Sequence, residues 1–142
     1  MKKLACILGV TFLAGCQSEQ PEARWYKATK NDTVALLSIA IRQNRFYGQY
    51  EMQCGADHYA GQVRGEKSGD TLTGRFKYET ENGSFKLVPF VVLKRHDTFI
   101  EGTGSVWTYL NIPYYDKKSI EFKPQNLLFE PIGQPSAKAT LP

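Results

Sequence analysis

Few residues in this chain have the types and spacing that chemistry requires. Cys54, Asp57 and His58 lie close together, and thiolate with imidazole is a pairing that zinc favours. A structural zinc site takes four ligands, however, and no second pair follows; folding would have to bring His96 to it. Cys54 also alternates with Tyr50 and Met52, which predicts an inward, inert thiol. A nucleophilic cysteine needs an electropositive, partly exposed setting instead. His96-Asp97 supplies two members of a Ser-His-Asp set, but adjacent turn residues point apart and no Gly-x-Ser-x-Gly elbow is present. The pair reads as a turn.

Among fourteen acidic residues, Glu101 stands out because it alternates with Phe99. A buried carboxylate there would titrate high and mark a site. Ile100, Gly102, Gly104 and Val106 form the opposing set, so the inward face is ambiguous, and a solvated Glu101 is expected. No second carboxylate can be placed beside it, so the two-acid arrangement of a glycosidase has no support. The sequence therefore predicts no catalytic residue, no metal site and no cofactor, and the chain is not read as an enzyme.

The best binding candidate is aromatic. Val106 to Lys118 gathers Trp107, Tyr109, Tyr114 and Tyr115 beside Lys117 and Lys118. Rigid amphipathic rings with a few polar neighbours suit contact with a protein partner, a glycan or a membrane interface. The plainer expectation is that Trp107 and Tyr109 complete a strand and plug one end of the fold. Nucleic acid would need a basic stripe around such rings, and two lysines do not make one.

These residues must be held by strands. Phe46, Gly48, Tyr50, Met52 and Cys54 alternate with Arg45, Tyr47, Gln49, Glu51 and Gln53; Leu72, Gly74, Phe76 and Tyr78 alternate with Thr73, Arg75, Lys77 and Glu79. Period-two patterns of this kind mark antiparallel strands with one dry and one wet face. Further strands are predicted at Arg24–Thr29, Thr33–Arg42, Tyr59–Lys67, Phe85–Lys94, Thr98–Tyr109, Ser119–Lys123 and Asn126–Pro131. Turns fall at Ser68-Gly69-Asp70, Asn82-Gly83 and His96-Asp97; Asn-Gly is the sharpest signal, because a type I′ hairpin needs positive φ at both central residues. Glycines 48, 61 and 74 recur every 13 residues on the predicted inner faces, which permits close backbone approach and bending. No helix is predicted. The expected fold is all-β: an antiparallel up-and-down meander of eight or nine short strands, curled into a small soluble barrel or half-barrel. A membrane-spanning barrel is disfavoured, because the alternate positions carry Arg75, Lys77, Gln49 and Glu51.

The composition of the 142-residue chain, 42% hydrophobic and 13% aromatic, suits one globular domain and excludes general disorder. Its formal charge of +4 is partly a property of the first residues. Lys2-Lys3 precedes an apolar run from Leu4 to Ala14, and the run ends Leu13-Ala14-Gly15-Cys16. This pattern resembles a bacterial lipoprotein signal with its lipobox, which implies cleavage after Gly15 and lipid on the Cys16 sulfur. The expected layout is a removed signal peptide over 1–15, a lipidated terminus and tether over 16–23, a β-domain over 24–132 and a flexible tail over 133–142. Removing the signal leaves sixteen basic residues against fourteen acidic, a net charge of +2 and no nucleic-acid footprint. It also removes Cys6, so Cys54 is the only thiol left unmodified. Two or three acyl chains hold far more firmly than the single chain that gives marginal binding. Gln17, where the enterobacterial sorting rule places aspartate for inner-membrane retention, implies the outer membrane.

The stretch Gly61-Gln-Val-Arg-Gly-Glu-Lys-Ser-Gly-Asp-Thr-Leu-Thr-Gly-Arg-Phe-Lys-Tyr78, with Phe99-Ile-Glu-Gly-Thr-Gly104, resembles small uncharacterised lipoproteins of the Bacteroidota. The resemblance covers parts of residues 33–132 and brings no activity with it. Two roles follow as expectations. The first is a non-enzymatic, membrane-anchored lipoprotein that docks an envelope protein or glycan through Trp107, Tyr109, Tyr114, Tyr115 and Lys117. The second is a calycin-like carrier of a small apolar ligand, for which an internal cavity of about 300 Å³ or more is the discriminating feature.

Overall fold

A computed structural model describes residues 21–135 of the chain. The expected signal peptide and Cys16 lipobox, most of the expected tether and most of the expected tail lie outside the described residues. The described residues form ten strands and no helix: β1 Arg24–Lys30, β2 Thr33–Arg42, β3 Arg45–Cys54, β4 Asp57–Ser68, β5 Thr71–Glu79, β6 Phe85–Arg95, β7 Thr98–Glu101, β8 Val106–Tyr109, β9 Ile112–Tyr115 and β10 Leu128–Ile132. Eight close into an antiparallel barrel in the order β1-β10-β7-β6-β5-β4-β3-β2, and β8-β9 is a separate hairpin inserted before β10. The small all-β barrel expected from the alternation is the fold, and it is closed.

Period two sets the inner face. Phe46, Tyr50, Val63, Leu72, Phe76, Phe90, Val92, Phe99 and Phe129 point inward and are buried. Burying each such side chain contributes about 1.5–3 kcal/mol. Gly48, Gly61 and Gly74 carry the curvature. A Cβ on them would meet the backbone carbonyl oxygens of Ser38, Lys77 and Arg64 at 1.6, 1.9 and 2.1 Å, so only glycine lets those strands approach and coil so tightly.

Tight turns link the meander, and many place a residue at positive φ: Asn31, Gln43, Gly55, Gly69 and His96. The Asn82-Gly83 connection departs from the expected type I′ turn. Only Gly83 has positive φ, and the loop is wider, closed by bonds from Thr80 N to Ser84 O and from Gly83 N to Thr80 O. The hairpin with both central residues at positive φ is instead Leu110-Asn111.

Three strand assignments are corrected. Thr98–Tyr109 is two strands, because β7 ends at Glu101 and the chain then leaves the barrel. Ile112–Tyr115, which falls in none of the strands predicted from the sequence, is a strand, since it pairs with β8 from Val106↔Tyr115 to Tyr109↔Ile112. Ser119–Lys123 is not a strand; it contributes one bridge, Thr103↔Glu121. β1 starts and β10 finishes at the end of the barrel that carries the Gln43, Gly69 and His96 turns, as the register Arg24↔Ile39 and Trp25↔Ile132 requires.

Candidate functional site

The wall of the barrel is uneven. β6 runs eleven residues, but β7 pairs with it only from Val92↔Glu101 to Arg95↔Thr98. The first half of β6, from Phe85 to Phe90, therefore pairs with β5 on one side and lacks a barrel strand on the other. Pro89 sits in that half, where its missing N–H costs no ladder bond. The hairpin β8-β9 lies beside this seam, and Val106, Pro113 and Tyr115 lean over it.

Behind the seam is a cavity of about 570 Å³. Its inner wall is made by Tyr50 and Met52 of β3, Tyr59 of β4, Phe76 and Tyr78 of β5, and Val88 and Phe90 of β6. The rings pack on one another: Tyr50 meets Phe76 edge-on at 5.0 Å, Tyr59 meets Tyr78 at 5.2 Å, and Phe76 stacks on Tyr78 at 5.0 Å. The lining is mostly apolar, and its volume is that of a site for a small organic molecule.

Glu101 is the one charged residue in this lining. Its backbone is fixed: its N–H donates to Leu127 O at 2.9 Å, and Asn126 Nδ2 donates to its carbonyl at 2.9 Å. Its side chain shares the inward face with Phe99, so the solvated position expected from the sequence is corrected. Burial raises the carboxyl from its ordinary 4.5 to about 7, although the Lys30 charge pulls the other way. Lys30 itself donates to the Gln125 carbonyl. Among the described residues, no side chain donates a hydrogen bond to the Glu101 carboxylate. Burial, then the nearby Glu101 charge, also raises the phenols of Tyr50 and Tyr115, so both stay neutral across the physiological range.

The aromatic set expected to act together is divided. Tyr115 faces the cavity. Tyr114 and Lys117 border a wider depression of about 820 Å³ outside the barrel, with Arg45, Arg64 and Arg75 nearby. Trp107 and Tyr109 share the outward face of the hairpin with Tyr114, are 59% and 67% exposed, and plug nothing.

Cys54 keeps the parity of Tyr50 and Met52 but ends β3 at the rim, where no further layer covers it. The expected buried thiol is exposed, and it accepts a bond from Thr33 Oγ1 at 3.3 Å. His58 Nε2 lies 2.7 Å from Glu51 Oε1 rather than beside Cys54. Among the described residues, no three His, Cys, Asp or Glu side chains are grouped to hold a metal ion.

Glu101 and the cavity were the features that alternation alone missed. Pro89 inside a strand pattern is a signal of the open seam that the alternation reading did not use. The class thus defined is a closed, eight-stranded antiparallel barrel with an apolar, side-opening cavity. Comparison of the chain with protein families, curated proteins and solved structures finds no match.

Proposed function

We propose that this protein is a lipid-anchored carrier of the bacterial envelope, holding a small, largely apolar molecule in its barrel. The observation that supports the carrier is the cavity of about 570 Å³, well above the volume that separates carriage from a filled interior. The lipobox at Leu13 to Cys16 supports the anchor, and Gln17 supports the outer membrane. The reading assigns no catalysis to the chain.

Binding of the neutral dye N-phenyl-1-naphthylamine, followed by its fluorescence, tests the cavity. Wild type should bind it, and Met52→Trp, which fills the inner wall, should weaken binding at least tenfold while remaining folded by thermal melt. Equal binding by both proteins would remove the cavity from the account. Cys16→Ser should release the protein from the membrane fraction, and retention would sink the anchor.

A second reading rests on the hairpin. Val106, Trp107, Tyr109 and Leu110 are all more than half exposed, and aromatic groups of this kind anchor protein or glycan partners. Trp107→Ala should then lose an envelope partner that wild type recovers, with dye binding unchanged.

A further inference from the structure

The cavity combines a single acid with a surround of aromatic rings, and this combination narrows the chemistry of its occupant. Glu101 projects into a space whose other walls are phenol, phenyl and aliphatic groups. Among the described residues no side chain donates a hydrogen bond to its carboxylate, so its ion-pairing capacity points at whatever fills the cavity. An anion there would be repelled by the carboxylate, and a purely apolar molecule would leave it desolvated and unpaired. A positively charged nitrogen satisfies both features, because ring faces attract cations through their quadrupoles and a carboxylate supplies the counter-charge.

Building on the carrier reading, we propose that the cavity takes an organic ammonium ion, its charged head set against Glu101 and its carbon substituents against Tyr50, Phe76 and Tyr78. Quaternary and bulky protonated amines are the fitting class, since their positive charge is spread over a surface that is itself apolar. The charged or titratable groups facing Glu101 are Lys30 from β1, Tyr50 from β3 and Tyr115 from β9. The phenols remain neutral in the working range, so the carboxyl is the group whose ionisation governs capture. Cation affinity should therefore rise with pH between 5.5 and 8.

The test is displacement of N-phenyl-1-naphthylamine from the full chain carrying Cys16→Ser. The competitors are benzyltrimethylammonium, its neutral isostere neopentylbenzene, and the anion phenylacetate. The expected order places the ammonium at least tenfold ahead of the isostere and the anion last. Glu101→Gln should abolish the preference and its pH dependence, with dye and isostere still bound. Glu101→Asp should retain part of the preference. Equal affinity for ammonium and isostere, or an ammonium preference that survives in Glu101→Gln, overturns the cation assignment and leaves the carrier intact. Failure of the dye and every competitor to bind overturns both.

Discussion

At one end of the barrel, Phe46, Leu72, Val92 and Phe99 meet with at most 1% of their surface exposed. At the other end, Met52, Tyr59, Tyr78 and Val88 point the same way from β3, β4, β5 and β6 and are only partly buried. The inward residues are as large at the open end as at the closed one, so side-chain size does not separate the two. The difference is in the wall. The packed end has partners on both sides of β6, whereas the open end loses one where β7 stops at Glu101. A barrel can thus keep an apolar face and still leave it unfilled, simply by shortening one strand.

The largest test of this contrast removes one aromatic ring from each end. Phe46→Ala should cost about 3–5 kcal/mol, because the ring is fully buried and its loss leaves a hole in the packed end. Tyr78→Ala should cost about 1–2 kcal/mol, since water already reaches its surroundings. Urea denaturation of both variants measures the gap, and equal costs would mean that the open end is packed as tightly as the closed one.

Glu101 allows a sharper comparison within the open end. Its carboxyl holds a proton up to about pH 7 in the folded chain but loses it near 4.5 when unfolded. Below 4.5 both states are protonated and the residue is neutral in its effect. As pH rises through this window, the unfolded state loses its proton first, so stability falls and stays reduced above 7. Glu101→Gln removes that loss. It should match wild type at pH 4 and exceed it by about 1–3 kcal/mol at pH 8, the lower figure applying if water in the cavity screens the charge. Chemical denaturation across pH measures this, and parallel curves would show that the carboxyl is solvated.

The smallest effect lies outside both ends. Leu110 occupies a left-handed turn position at φ 49° with 76% of its surface exposed, a conformation that strains a γ-branched side chain. Leu110→Asn should raise stability by about 1 kcal/mol in thermal melts and leave dye affinity unchanged. A change in dye affinity would tie the hairpin tip to the cavity.

The inner faces of β3 and β5 were legible because period two is fixed by backbone geometry alone. Glu101 was not, because Ile100 beside it is buried as well. A strand covered on both sides carries no alternation to read. Cys54 misled for the opposite reason: its parity was inward, but burial also depends on how far along the barrel a residue sits. The divided aromatic set followed from a hairpin whose turn, Leu110-Asn111, lacks the glycine that usually announces one. The cavity itself arises from a difference in length between β6 and β7, which no single segment records.

The direction of β1 has a consequence for traffic. Arg24 begins that strand at the packed end, and the seam opens toward the opposite end. In the proposed lipid-anchored reading, a lipid ahead of Arg24 would lie on the side of the sealed end and leave the doorway on the side away from the bilayer. On that proposal, a bound molecule would be exchanged with the aqueous compartment or with a facing surface, and the membrane would serve as a mooring rather than as the source of what is carried.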